Sequence, residues 1–517
     1  MTTPPPSRRA LVGGALAASA VAVTATGEPA YAAGGKKHDG PPLLSKPDRH
    51  LVTRFSYGLT PELAKDVREA GGGLAWFESQ LKPSSVSDKE VGKVDAWWPE
   101  LSYSPAKLWQ RQITGLQGGW EVMANYQRRA LQRRMRTNRP VLEMMAEFWE
   151  NHLNVPVNGD AQFTYRAAYG DHVREHALGK FSDLLVGAIT HPAMLIYLDQ
   201  ATSTKRHPNE NLGRELLECH TVGEGSFTED HVKASARILT GYTVDMYETW
   251  QALYNPEEHW RGRVKVLGFK DSNKKKDGQG LTRKYLEYLA HHPATARRIA
   301  EKLAVKFVRD QPSAGLVSRL AKVYLENDTE IVPVLRALVR SREFQRAEGL
   351  KVRDPGEDIA ATYRALGVRF QKPVGEEADG SALQSLVWQA DSIGIAPFSW
   401  GQPNGQPIDN ESWSSPARLL ASMRFHQSAA AGWADEKTVY RKPEQWLPGR
   451  HPRFDEVVDH LCQQLMHKHS TKKLLKACCV AVEIPPYEAI DKDHELVEWK
   501  FPRLLSTLLD SPDHLSR

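Results

Sequence analysis

The chain has 517 residues, enough for one large core or for several domains of ordinary size. Its composition, 41% hydrophobic and 25% charged with 14 Trp, 16 Tyr and 14 Phe, excludes a collagen, a mucin-like stalk and a disordered polar tail. The 68 Lys+Arg against 63 Asp+Glu leave a formal charge of +5, too small and too dispersed for nucleic-acid binding over the whole chain.

In chain order, Ser7-Arg8-Arg9-Ala10-Leu11 leads into an apolar stretch from Leu11 to Val23 that is too short to span a membrane and ends at Pro29-Ala30-Tyr31-Ala32. The pattern predicts a twin-arginine export signal over 1–32, cleaved after Ala32, with an uncleaved N-terminal anchor as the alternative. Residues 33–47, rich in Gly, Lys and Pro, are expected to form a flexible leader. No later segment approaches ~18 uninterrupted apolar residues, so the mature chain is expected to lack a transmembrane span and to work outside the cytoplasm, extracellularly or on the cell envelope.

From His50 onward apolar residues recur at helical spacing: Leu142, Met145 and Trp149; Leu316, Leu320, Val323 and Tyr324; Leu335, Leu338 and Val339; Phe454, Val458, Leu461 and Leu465. Strand-like alternation is confined to Arg263–Gly268. The expected fold is mainly α, a single large unit over 48–517 built from two helical sub-domains (about 48–346 and 358–517) with at most one small β-hairpin. Loop-rich stretches at 347–357 and 399–412 separate the helical blocks. Segments 334–344 and 503–513 resemble each other, each an amphipathic helix followed by Ser-x-Asp/Glu. Four cysteines are too few for a disulfide framework. Cys462 and either Cys478 or Cys479 are close enough in type of segment to bridge two neighbouring helices, and Cys219 reads as a buried thiol.

The chain has no Gly-x-Ser-x-Gly, no phosphate-cradling glycine loop, no His-Glu-x-x-His and no Cys-x-x-Cys, which argues against a serine hydrolase, a nucleotide enzyme, a zincin and a thioredoxin. What remains is a set of helices carrying His, Glu and Asn. His152 follows Trp149 by three residues and Met145 by seven, so it shares the apolar stripe and points inward. Leu212, Leu216 and Cys219 define the buried face of a second helix, with His220 one turn past Leu216, Glu215 at the border and Gly223 as the stop. His152, Glu215 and His220 can be read as ligands for iron, manganese or zinc, with Asp199, Asn209 and Asn211 supporting them, or as core groups hydrogen-bonded to carbonyls. Neither helix carries the Glu-x-x-His spacing of helical metal sites. Glu215, Asn211 and Arg214 are the candidate catalytic residues; Arg214 and Glu218 also have the spacing of a surface ion pair. Arg128, Arg129, Arg133, Arg134, Arg136 and Arg139 form a basic run, read either as a solvated face paired with nearby acids or as a dock for an anionic polymer.

Several blocks carry a family pattern: 50–58, Phe148-Trp149-Glu150-Asn151-His152, 191–199, Asn209-Glu210-Asn211 with Arg214-Glu215-Leu216, His220-Thr221-Val222-Gly223, 239–242, 292–296 with Lys302-Leu303, and Pro403-Asn404-Gly405 with Trp413. In them the chain resembles the bacterial family known as domain of unknown function 1800. The resemblance implies a largely helical fold and no established reaction. Two positions depart from its pattern: Trp260 after His259, and Gln406-Pro407 after the Pro-Asn-Gly loop. Two functions are therefore expected. One is an exported enzyme, oxidative or hydrolytic, with a buried His/Glu or metal centre acting on an envelope or environmental substrate. The other is a non-catalytic scaffold binding an envelope polymer or co-exported protein through the basic run and the loops at Trp400 and Trp413.

Overall fold

The computed structural model describes residues 42–373, 382–432 and 438–517. The expected signal, 1–32, and most of the leader lie outside the described residues. The end of the expected leader is already structured: Leu44 is buried, and a helix, Lys46–Arg54, begins with Ser45 Oγ accepting from the Asp48 amide.

Among the described residues there are 24 α-helices and two small antiparallel sheets. Strand β1 (Tyr242–Val244) pairs with β2 (Ala252–Tyr254), and β3 (Val264–Val266) with β4 (Phe269–Asp271). The mainly α expectation holds. The β3–β4 hairpin falls where alternation was visible, its turn made by Leu267 and Gly268, both at positive φ. The second hairpin buries only Val244 of its two strands, so no alternation of apolar and polar residues marks it.

Side-chain caps start many of the helices, often just ahead of a proline. Thr60-Pro61, Ser104-Pro105 and Ser415-Pro416 each place a hydroxyl on the amide two residues beyond the proline. His191-Pro192 and His292-Pro293 cap with an imidazole, whose Nδ1 accepts from the amide just after the proline, Ala193 N and Ala294 N, at 3.2 Å. The two look-alike segments share their ending. Helices Ile331–Val339 and Phe501–Leu509 are followed by Ser341 and Ser511 as N-caps of four-residue helices, Arg342–Gln345 and Pro512–Leu515. The segments after them meet in a single bridge, Val352 opposite Ser516, with Arg353 N donating to Leu515 O and Arg517 N to Lys351 O.

Apolar side chains gather into two cores. The first packs Phe55, Met145, Trp149, Phe181, Leu216, Leu303, Phe307 and Leu335. The second joins the helices after Pro355 (Ile359, Phe425, Val458, Leu461, Leu504, Leu508) to Val94, Leu101, Tyr126 and Leu131 from much earlier in the chain. Helix Gly119–Arg136 thus ties the C-terminal core to the N-terminal half. All four cysteines are free thiols, so the bridge read as open to Cys462 is not made.

Candidate functional site

Helix Pro140–His152 is anchored by Trp149, whose indole Nε1 donates to Ala177 O at 2.9 Å, and delivers His152 to the interior at its last position. Helix Glu210–Glu215 starts at Asn209, whose Oδ1 accepts from Asn211 N at 2.7 Å, and then widens into a π-turn over Leu216–His220. A π-turn holds one more residue than an α-turn, and such insertions concentrate at functional sites. Thr221 Oγ1 donates to Leu216 O at 2.6 Å, and Gly223, at φ +89°, ends the segment with its amide on Leu217 O. The result is that Cys219 and His220 are both buried.

His152 and His220 grip each other's backbone. His152 Nε2 donates to His220 O at 3.1 Å, and His220 Nδ1 donates to His152 O at 2.9 Å. Because a carbonyl only accepts, both tautomers follow: His152 carries its proton on Nε2 and His220 on Nδ1. The lone pair left on His152 Nδ1 faces Lys302 Nζ at 3.1 Å. The lone pair on His220 Nε2 is buried with no hydrogen-bond partner among the described residues. Burial brings the His220 imidazole down to about 3 and holds His152, beside Lys302, well below the usual histidine range, so both rings are neutral. Lys302, half-buried on helix Pro293–Phe307, is pulled down to about 8 by burial and by neighbouring Arg298. Next to them Cys219 Sγ donates to Glu215 Oε2 at 3.0 Å, and burial together with that carboxylate pushes the thiol up to about 12.

Of the residues singled out in the sequence, His152 and His220 are brought together. Glu215 is spent on Cys219 and does not join the two histidines in a trio of ligand atoms within 4.8 Å. Asn209 is a helix cap, and Asn211 is exposed with its Nδ2 3.5 Å from Asp199 Oδ2. Arg214 pairs with Glu229 across to the next helix, not with Glu218. Lys302 drew no attention of its own in the sequence. The available signal was a row of cations four residues apart, Arg298, Lys302 and Lys306, running beside the buried stripe Ile299–Leu303–Phe307.

The loop around 399–405 closes over this region from the other half of the chain. Asn154 Nδ2 donates to Trp400 O and Gln402 O, and Tyr197 OH to Gly401 O. Gly405, at φ +76°, lies so close to Asn151 that a Cβ there would stand 1.8 Å from Asn151 O, which accounts for glycine at this position. Trp413 is buried with its Nε1 on Pro407 O and offers no docking surface. The basic run pairs with acids, as one of its two readings expected, but its arginines are largely buried and not solvated: Arg129 and Arg133 pair with Asp171, Arg133 also with Asp95, and Arg134 with Glu147, while Arg139 donates to Val86 O.

A second polar centre was not visible in the sequence. Asp358, His426 and His514 bring three ligand-type atoms within 4.8 Å of one another, all buried. The hydrogen bonds do not suit a metal ion. His426 places Nε2 on Asp358 Oδ1 at 3.1 Å and Nδ1 on Asp510 Oδ1 at 2.7 Å, and Asp358 also receives Arg418 Nη2 and Ser422 Oγ. Burial alone would lower the imidazole, but the two carboxylates push it up to about 9, and an imidazolium has no lone pair for a metal. The cluster is a buried ion network.

A family model described as a protein of unknown function (DUF1800) matches residues 50–516. No curated protein matches, and no solved structure matches.

Proposed function

We propose, on the premise that the chain belongs to the DUF1800 family, that it is an exported enzyme whose acid–base centre is Lys302 on His152, beside the His152–His220 pair. The supporting observation is Lys302 Nζ at 3.1 Å from a lone pair whose tautomer is fixed from the far side of the ring. An amine titrating near 8 is a base or nucleophile under ordinary conditions, and His152 orients it without competing for the proton. Export rests on the Arg8-Arg9 signal, and with it an envelope or environmental substrate. The reading is checked by trace labelling with acetic anhydride across pH, followed by mass spectrometry of the peptide holding Lys302. The acylation midpoint is expected near 8. A midpoint in the ordinary lysine range, near ~10.4, would remove the basis for the proposal.

The orphaned Nε2 of His220 supports a second reading, in which His152, His220 and Glu215 hold iron, manganese or zinc. It requires Lys302 to leave His152 Nδ1 and Glu215 to leave Cys219 and swing to the histidines. Stoichiometric metal in the purified protein that disappears in His220→Gln is its expected signature; metal-free protein of unchanged stability in chelator excludes it.

A further inference from the structure

Lys302 follows Arg298 by one turn on helix Pro293–Phe307, and residues four apart on a helix carry their Cβ atoms about 5–6 Å from each other. Both side chains are half-buried and within reach of solvent. The two cations therefore share one side of the helix, where a single small anionic group can touch both.

Arg298 has no task in the fold. Among the described residues no carboxylate lies within ion-pair distance of it and no acceptor takes its hydrogens. Its Nε is buried and unpartnered, whereas neither terminal nitrogen is sealed. The tip lies against Gly223, where a Cβ would come to 2.9 Å from Nη1, so the bare glycine leaves the guanidinium its place. Charges drawn out of water are normally paired, as Arg129, Arg133, Arg166 and Arg174 are with carboxylates here. Arg298 differs from them in lacking a counter-ion.

The charges around the centre have one sign. Besides burial, His152 is pulled down by Lys302, His220 and Arg298, and His220 by Lys302 and Arg298. Lys302 is pulled down by burial and Arg298, and only the Cys219 thiol acts the other way. No carboxylate acts on any of the three. The nearby acids belong to the Cys219 side: Glu215 Oε2 takes the thiol, and Glu218 is raised by burial and by Glu215 and Glu224 more than Arg298 lowers it. Two cations backed by two neutral imidazoles, with no counter-ion, form a receptor for an anion.

We infer that the substrate brought to Lys302 carries a carboxylate or phosphate group, which Arg298 grips through its two terminal nitrogens so that the reacting atom comes beside Lys302 Nζ. A guanidinium meets either group bidentately, so the two share one chemistry. The inference rests on the reading of Lys302 as the reacting amine and adds the substrate class to it.

The test takes the full chain with inorganic phosphate, malonate and neutral malonamide as probes. Calorimetric titration is expected to show binding of phosphate or malonate and none of malonamide; which anion binds decides between the two groups. Acetic anhydride labelling is expected to place the Lys302 midpoint higher with that anion bound, because an anion between the cations favours the ammonium. Arg298→Gln should weaken the binding about tenfold or more. It should also raise the probe-free midpoint by removing a neighbouring charge, and leave the melting temperature in place because Arg298 makes no bond in the fold. Arg298→Lys should keep the low midpoint and recover only part of the binding. Arg297→Gln, one residue away and exposed, should change neither. No binding of either anion, or the same loss in Arg297→Gln as in Arg298→Gln, overturns the inference. A probe-free midpoint at ~10.4 overturns the Lys302 reading instead, while the titrations still report on Arg298.

Discussion

Substituting Asp358→Asn is expected to destabilise the protein by about 3–5 kcal/mol, the usual cost of removing one partner from a buried charge pair. Asp358 is fully buried and receives three donors: His426 Nε2, Arg418 Nη2 at 3.2 Å and Ser422 Oγ at 2.7 Å. An amide presents one oxygen and turns two hydrogens to the other side, so whichever way it faces either His426 or the Arg418–Ser422 pair loses its acceptor, and both cations lose the charge that balances them. His426→Gln is expected to cost less, because it removes the imidazolium and leaves Asp358 with Arg418 and Ser422. The melting temperatures of the two variants check the order. An Asp358→Asn protein as stable as wild type would mean that the cluster is not charged as drawn.

The same cluster gives a direction with pH. His426 is raised from the ordinary histidine value of 6.5 to about 9 when folded, so the folded state binds the proton more tightly. Its contribution, about 3 kcal/mol for a shift of this size, is fully present below pH 6.5 and is lost as pH rises through 9. Asp358 works in the opposite sense. Burial would raise it, but His426 and Arg418 hold it well below the usual carboxylate range, so its contribution fades only in acid. Asp358→Asn should therefore flatten the alkaline decline in melting temperature as well as lower the curve.

The clusters and the sequence met unequally, for reasons that lie in geometry. His152 could be turned inward on paper because Met145, Trp149 and His152 share one helical stripe, and a stripe is a local property. The π-turn could not, since Leu216–His220 reads as ordinary helix residue by residue and the inserted residue shows only in the hydrogen bonds. Lys302 and His152 are 150 positions apart, and His426 reaches partners 68 and 84 positions away, so no spacing rule connects them. The basic run was legible only in part for a related cause: its pairing with acids could be expected, its burial could not. Its arginines are visible together, whereas Asp95, Asp171 and Glu147, which neutralise several of them, are scattered through other segments. Helix starts and stops were legible because a cap, a proline and a terminal glycine act over a few residues.

Arg54 carries the second large effect. Its guanidinium is wholly buried and bonds only to backbone carbonyls: Nη1 to Phe307 O at 2.6 Å and Val308 O at 3.0 Å, Nη2 to Ala347 O at 2.6 Å and Arg517 O at 2.7 Å. Two of these belong to the end of helix Pro293–Phe307, whose last carbonyls have no partner within the helix and carry the negative end of its dipole. The other two come from the segments after Gln345 and Leu515, so one fork joins three parts of the chain. Arg54→Met would strand Phe307 O and Val308 O, at about 1–3 kcal/mol each, and take one of two donors from Ala347 O and Arg517 O, which keep Leu350 N and Lys351 N; the loss is a large share of the ~5–15 kcal/mol that holds a typical domain. Arg54→Lys keeps the charge but has a single nitrogen with three donors, which cannot span the fork. It is expected to recover less than half of the lost melting temperature. Because Lys302 rides on the same helix, Arg54→Lys should also speed amide exchange at Val308 and Arg309 before exchange rises at Lys302. A lysine variant with wild-type melting temperature and exchange would show that charge alone, and not the two-pronged geometry, secures the end of this helix.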